Sequence, residues 1–261
     1  MARMLNHRSE TGGIWALNGR PANPPAAAHR RVIFLDELRG FTVISMVLFH
    51  ASYDLAYIHG IPMPWFTNGI FQDVWRASIS WTFLALAGWM TAFSRSNLKR
   101  AGVYGCCALA VWAATTIAAV DTPVNYGILF CMAASTLLYA LIEKPLGHID
   151  PIAGMVCSLA IFALTWSVPR TVYDVEHLAW LGFPSPTFAS GDYYPLVPFA
   201  FMYLAGAFAV RVHKRYGQGR YPAFMMRSHC QALSFVGRHS LLIYLVHQPI
   251  IVGLLMLTLG A

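Results

Sequence analysis

Charge is scarce in this sequence. Its 261 residues include 18 Lys or Arg and 11 Asp or Glu, so 11% are charged where a soluble domain carries about 25%, which excludes a large water-soluble domain. Paired cysteines are missing too. Of the five cysteines, Cys106 and Cys107 are adjacent rather than spaced as C-x-x-C, and no His and Cys spacing forms a ligand set. Cys106, Cys107, Cys131 and Cys157 fall in apolar stretches, where cysteine acts as a small hydrophobe, and Cys230 falls in a segment expected in the reducing cytoplasm. Neither a disulfide nor a bound metal is expected. Basic and aromatic residues are not interleaved on a polar stretch as a nucleic-acid surface requires. Nor is there an internal repeat or a pair of interrupted spans, the pattern of many transporters. The N-terminal segment lacks the continuous apolar core of a secretory signal, so the first hydrophobic span is expected to persist as an anchor.

What the sequence has in excess is apolar surface, at 57% of residues. With about 20 apolar residues needed per crossing, about seven spans follow, near 38–58, 75–93, 101–120, 126–142, 152–168, 194–212 and 233–259. Turn-forming segments such as GIPMPWFTNG, DTP, EKPLGHIDP and GFPSPTFASGD separate them. Residues 1–31, with Arg3, Arg8, Arg20, Arg30, Arg31 and a PANPPAAA run, read as a basic disordered cytoplasmic tail. The remainder, 32–261, reads as one all-α transmembrane domain. Lys and Arg gather in alternate loops, at Arg95, Lys99 and Arg100, then Lys144, then Arg211 to Arg238. The positive-inside rule therefore places the N-terminus in the cytoplasm and the C-terminus outside. The net charge of +7 is then a signal of topology.

The stretch DELRGFTVISMVLFHASYDL contains the costliest residues. At 100° per residue the step from Arg39 to His50 returns to within about 20° of its start, so the two side chains share a face about 16 Å apart. Asp54 follows one turn later on that face. Ionisable groups inside an apolar span mark functional sites. Counted from Leu38, His50 lies about 18 Å into a core about 30 Å thick, with Arg39 at the cytoplasmic rim. An anionic cytoplasmic molecule held at Arg39 would place its reactive end at His50. Histidine takes a proton near neutral pH, and Asp54 at i+4 can orient the imidazole. The same pair would serve a proton-coupled transporter, and a hydrogen bond to a neighbouring helix is the purely structural alternative.

Arg39 and His50 within LRGFTVISMVLFH resemble the first-helix signature of membrane acyltransferases, acyltransferase family 3 among them. FHASYDL, GDYYPLVPFAFMYLAGAF and GRHSLLIYLVHQPI resemble the heparan-alpha-glucosaminide N-acetyltransferase family in its short bacterial form. The resemblance spans Arg31 to Ile251. It implies transfer of an acetyl group from cytoplasmic acetyl-CoA, a substrate rather than a resident cofactor, to an amino or hydroxyl group of a sugar or glycan acceptor across a bacterial inner membrane. It also implies that His50 is the catalytic base or a transient acyl carrier and that Arg39 faces the donor or secures the first helix. One position departs from the pattern. Where the wider group shows a histidine after F-G-I-L, this chain has NYGILFCMA with Phe130; if that histidine helps catalysis in the group, its burden here shifts to His50 and Asn125, or the activity is altered or lost.

Several further residues are candidates. Asp192, before Tyr193 and Tyr194, stands at the outer entrance of the sixth span, where it can bind an acceptor or cap a helix. Arg238, before His239 and Ser240, can meet CoA phosphates or serve topology alone. Arg95 and Arg100 can line a donor entrance or contact lipid headgroups. His247 precedes Gln248 and Pro249, so it is either a second base or a partner for backbone freed by the proline, with Tyr244 on the same face. The cluster Trp65, Phe66, Phe71, Trp75 and Trp81 fits an interfacial belt and, less directly, a sugar platform. Gly88, Gly127 and Gly206 would allow close helix approach. The partners expected are the bilayer, an acyl-CoA and a glycan, with no nucleic acid, and the sequence does not fix an oligomeric state. A transporter or flippase, or an inactive relative, is the alternative to the enzyme.

Overall fold

Local capping chemistry sets where the helices begin. In the computed structural model, which describes residues 31–119 and 121–259, Asn68 accepts the Phe71 amide to open α2 (Gly69–Trp89) and Ser96 accepts the Lys99 amide to open α3 (Asn97–Ala118). Asp150 accepts two amides ahead of Pro151 to open α5 (Pro151–Leu164). These are the short polar acceptors that N-caps favour, and proline at the first helical position loses no bond. The other helices are α1 (Ile33–Tyr53), α4 (Ile128–Leu146), α6 (Leu196–Tyr216), α7 (Ala223–Met226), α8 (Gln231–Arg238) and α9 (Ser240–Leu259). No strand occurs among the described residues. The basic tail expected over 1–31 lies outside the described residues except for Arg31.

Two helices begin without a cap of their own and take a carboxylate from elsewhere. The first amide of α4, on Ile128, donates to Asp192 Oδ2 at 3.1 Å. The amides of His229 and Cys230, at the start of α8, donate to Glu37 Oε1 at 2.7 and 2.9 Å. A negative group there answers both the orphan amides and the positive end of the helix dipole.

Six described helices are long and apolar enough to cross a membrane: α1 extended to Ile58, α3, α4, α5 extended to Arg170, α6 and α9. α2 is as long but carries Gln72, Asp73, Arg76 and several hydroxyl residues. It nonetheless runs beside α1 and α6 from one end of the bundle to the other. Gln72 donates to the Tyr57 hydroxyl at 2.7 Å and Trp89 to the Tyr221 hydroxyl at 3.3 Å.

The centre of the bundle is α6, whose Tyr203 is fully buried in one cluster with Leu84 of α2 and Cys131 of α4, and whose Val210 is buried further along. Ile117 of α3, Leu164 of α5 and Leu257 of α9 are 82%, 82% and 87% exposed, as expected of apolar helices that face lipid. Between such helices packing replaces the hydrophobic effect as the driving force, and small residues let backbones meet. A Cβ at Gly88 would overlap the Tyr203 carbonyl, and one at Gly206 the Ala85 carbonyl. Gly40 and Gly237 do the same for α1 and α8, abutting the carbonyls of Leu233 and Asp36. Gly127 differs from expectation, since its neighbours are the side chains of Val124 and Asp192.

The last span is also divided. The span expected over 233–259 reads as one helix, yet α8 stops at Arg238, where the His239 amide closes onto the carbonyls of Phe235 and Val236. α8 is amphipathic, with Ser234 and Gly237 buried and Phe235 and Arg238 outward. It packs against the start of α1 while α9 runs along the rest of α1.

Candidate functional site

The polar face of α1 meets α9 along a parallel seam. The rings of His50 and His247 stand 4.9 Å apart, centroid to centroid, at 61°. One turn on, Asp54 is 1% exposed, and both its oxygens accept from Gln248 Nε2, at 2.9 and 3.2 Å. Asp54 opens a single π-helical turn, Asp54–Ile58, in which the His59 amide reaches back to its carbonyl. Widened turns of this kind recur at functional sites.

The His247 ring is anchored at one nitrogen only. Nδ1 lies 2.6 Å from the Tyr244 carbonyl oxygen, while Nε2 and the neighbouring Gln248 Oε1 are buried with no hydrogen-bond partner among the described residues.

Arg39 lines a narrow cavity of about 70 Å³ together with Tyr104, Ser240 and Tyr244, walled by apolar residues of α2 and α4. Its guanidinium donates to Asp36 at 3.2 Å, within the same helix. Tyr244 connects this cavity to the histidine pair, since its ring stands 5.6 Å from that of His247. The polar groups thus form a column from Arg39 through Ser240 and Tyr244 to His247, His50 and Asp54.

At the end of the bundle opposite Arg39, residues 121–127 are strapped to 189–194. Ser190 Oγ accepts the Asn125 amide at 3.0 Å and shares its one hydrogen between the Asn125 and Asp192 carbonyls, while Asn125 Nδ2 donates to the Ala189 carbonyl at 2.9 Å. Burial pushes the Asp192 carboxyl up to about 6, and the Ile128 amide and the charge of Arg76 only partly offset it. A group with such a shift, in a pocket of tyrosines, titrates near neutral pH.

Of the residues singled out by sequence, the structure brings together His50, Asp54 and His247, and joins Arg39 to them through Tyr244. Arg100 lies behind the cavity wall, bonded to the Ala87 carbonyl and to the Tyr104 hydroxyl at 3.2 Å, with Nη1 buried and unpartnered. Arg95 and Arg238 are exposed and outside the cavity lining. Asn125 and Asp192 form the strapped end, and Phe130 packs on Tyr126 at 5.0 Å. No group of three or more metal-ligating side chains occurs among the described residues.

Glu37 is the polar residue that sequence reasoning passed over. It accepts from Ser228 Oγ, the amides of His229 and Cys230 and Ser234 Oγ, and its second oxygen lies 3.2 Å from His229 Nδ1. A second acid beside Asp36 in the first turn of an apolar span was the available signal, because neither would be kept there without partners.

A family model described as heparan-alpha-glucosaminide N-acetyltransferase, catalytic, matches residues 31–249, well over half the chain, and the chain belongs to that family. The matched region contains Arg39, both histidines of the seam, Asp54 and Gln248, and membership implies a transmembrane acetyltransferase. No curated protein and no solved structure matches the chain.

Proposed function

We propose that this family member transfers an acetyl group from cytoplasmic acetyl-CoA to an amino or hydroxyl group of a sugar or glycan at the outer face of a bacterial inner membrane, with His50 as base or acyl carrier. The observation that carries it is the partly buried His50–His247 pair, one turn from the bonded Asp54 and Gln248 and in line with the cavity that Arg39 lines. The cavity is small and mainly apolar in its lining beside Arg39, which favours the pantetheine arm of the donor over its charged nucleotide. The nucleotide would stay at the cytoplasmic rim, where Arg95 and Arg238 are within reach of its phosphates. Asp192 and its tyrosines belong to the acceptor side. The α2 helix, running the length of its neighbours, makes a seventh crossing and sets the N-terminus inside and the C-terminus outside.

The first experiment uses the protein purified in detergent and measures acetyl-CoA binding and its slow hydrolysis. The wild type binds saturably and turns over. His50→Ala binds with unchanged Kd but loses turnover by about 10²–10⁴-fold, and Arg39→Ala weakens binding. Absence of saturable binding to the wild type would remove acetyl-CoA as donor and put the transporter reading first.

A further inference from the structure

We propose that His247 is a second catalytic base, whose Nε2 takes the proton from the acceptor while its Nδ1 is committed to the Tyr244 carbonyl. The proposal rests on the acetyl-transfer reading above and assigns a role within that site.

Hydrogen-bond chemistry fixes the tautomer. A carbonyl oxygen can only accept, so at 2.6 Å Nδ1 must carry the hydrogen, and the neutral ring then keeps its lone pair on Nε2. Pro249 is not the reason for the bond at Nδ1, since the carbonyl that a proline there leaves without its helical donor is that of Leu245, four residues back, and not that of Tyr244. Nor does it account for Nε2. A buried acceptor without a donor costs about 1–3 kcal/mol, and each such group in a native structure calls for a reason.

Gln248 narrows the choice. Its Nε2 is committed to both oxygens of Asp54, which fixes the amide orientation and leaves Oε1 as a second buried acceptor with nothing to receive among the described residues. Two consecutive residues of the seam therefore hold unmatched lone pairs, that of His247 against the His50 ring, and the donors of both are already committed. A group bearing N–H or O–H hydrogens satisfies those lone pairs, and of the two substrates it is the acceptor whose reacting atom carries such a hydrogen. The acetyl thioester has none at its reacting end.

The step balances. As the acceptor nitrogen or oxygen bonds to the acetyl carbon, its proton passes to His247 Nε2, the carbon–sulfur bond breaks, and its electron pair leaves on sulfur. The thiolate then takes the proton, giving free CoA thiol and a neutral ring. Where the acetyl group first rides on His50, the bond that breaks is to the His50 nitrogen and the proton returns there. His50 carries no comparable tether among the described residues, which suits a group that turns between donor and acceptor.

His247→Asn separates the two nitrogens, since the Asn amide nitrogen sits where Nδ1 does and preserves the bond to Tyr244, whereas nothing replaces the Nε2 lone pair. The probes are acetyl-CoA as donor and D-glucosamine or water as acceptor. Wild-type Kd for acetyl-CoA, unchanged Tm and a fall in kcat of about 10²–10⁴-fold with KM for glucosamine within about threefold is the expected result. His247→Gln, which puts a non-basic amide near Nε2, should be equally slow. Turnover within about threefold of wild type in His247→Asn, with His50→Ala dead, would make the residue structural and overturn the proposal. So would loss of acetyl-CoA binding in both His247 variants. A wild type that binds no acetyl-CoA would instead bring down the acetyl-transfer reading itself.

Discussion

Single residues in this bundle are held by commitments that their neighbours in sequence do not reveal. Asp192 shows what such a commitment does to a carboxyl. The folded protein holds its proton up to about pH 6, whereas the unfolded chain releases it near 3.8. Its contribution to stability is therefore full below about pH 4 and is lost as pH rises through about 6. Between those limits the wild type should lose about 1–3 kcal/mol relative to Asp192→Asn, read as a steeper fall in Tm with pH. Parallel pH profiles for the two proteins would exclude the effect. At this scale the sequence was legible where cost and spacing coincide, as for Arg39, His50 and Asp54. It was silent on which helix would answer them, because a contact between α1 and α9 leaves no periodic trace in either segment.

At the scale of elements, α1 and α8 behave as a joined pair. Gly40 and Gly237 bring the backbones together, and Glu37 fastens the amino end of α8 with five hydrogen bonds. Glu37→Gln replaces one acceptor oxygen with a donor group aimed at other donors. Losing charge-assisted bonds there should cost about 2–3 kcal/mol. The fall should appear as a lower Tm in detergent and as faster amide exchange over 228–234, leaving α4 and α5 unchanged; exchange raised evenly along the chain would contradict a local fastening. Apolar runs located the long helices well, since a span has to be continuous. They ran through the interruption at His239, because apolar residues resume beyond the short polar stretch Arg238, His239 and Ser240, and the packing of α8 onto α1 is what makes that stretch a break.

For the molecule as a whole, orientation in the membrane is the property that most constrains chemistry, because the proposed reaction takes its donor and its acceptor from opposite sides. Cys230 is exposed beside the Glu37 fastening, at the end of the bundle that carries Arg39. In a variant with Ser at the exposed Cys106 and Cys157, a membrane-impermeant maleimide should label Cys230 in inverted vesicles and leave it unlabelled in intact cells. Labelling of intact cells would reverse the topology and with it the side from which the donor arrives. The sequence carried this scale through charge alone, as the loops bearing Arg95, Lys144 and Arg211 alternate with loops nearly free of Lys and Arg.

Glu37 and its first partner, Ser228, are separated by 191 positions in the chain. A ribosome feeding the first helix into the bilayer therefore delivers a carboxylate whose matching donors have yet to be translated, and the nascent protein must shelter that helix until almost the last segment emerges. Messages truncated before codon 228 would yield chains whose first helix keeps a carboxylate without the donors that the finished protein gives it.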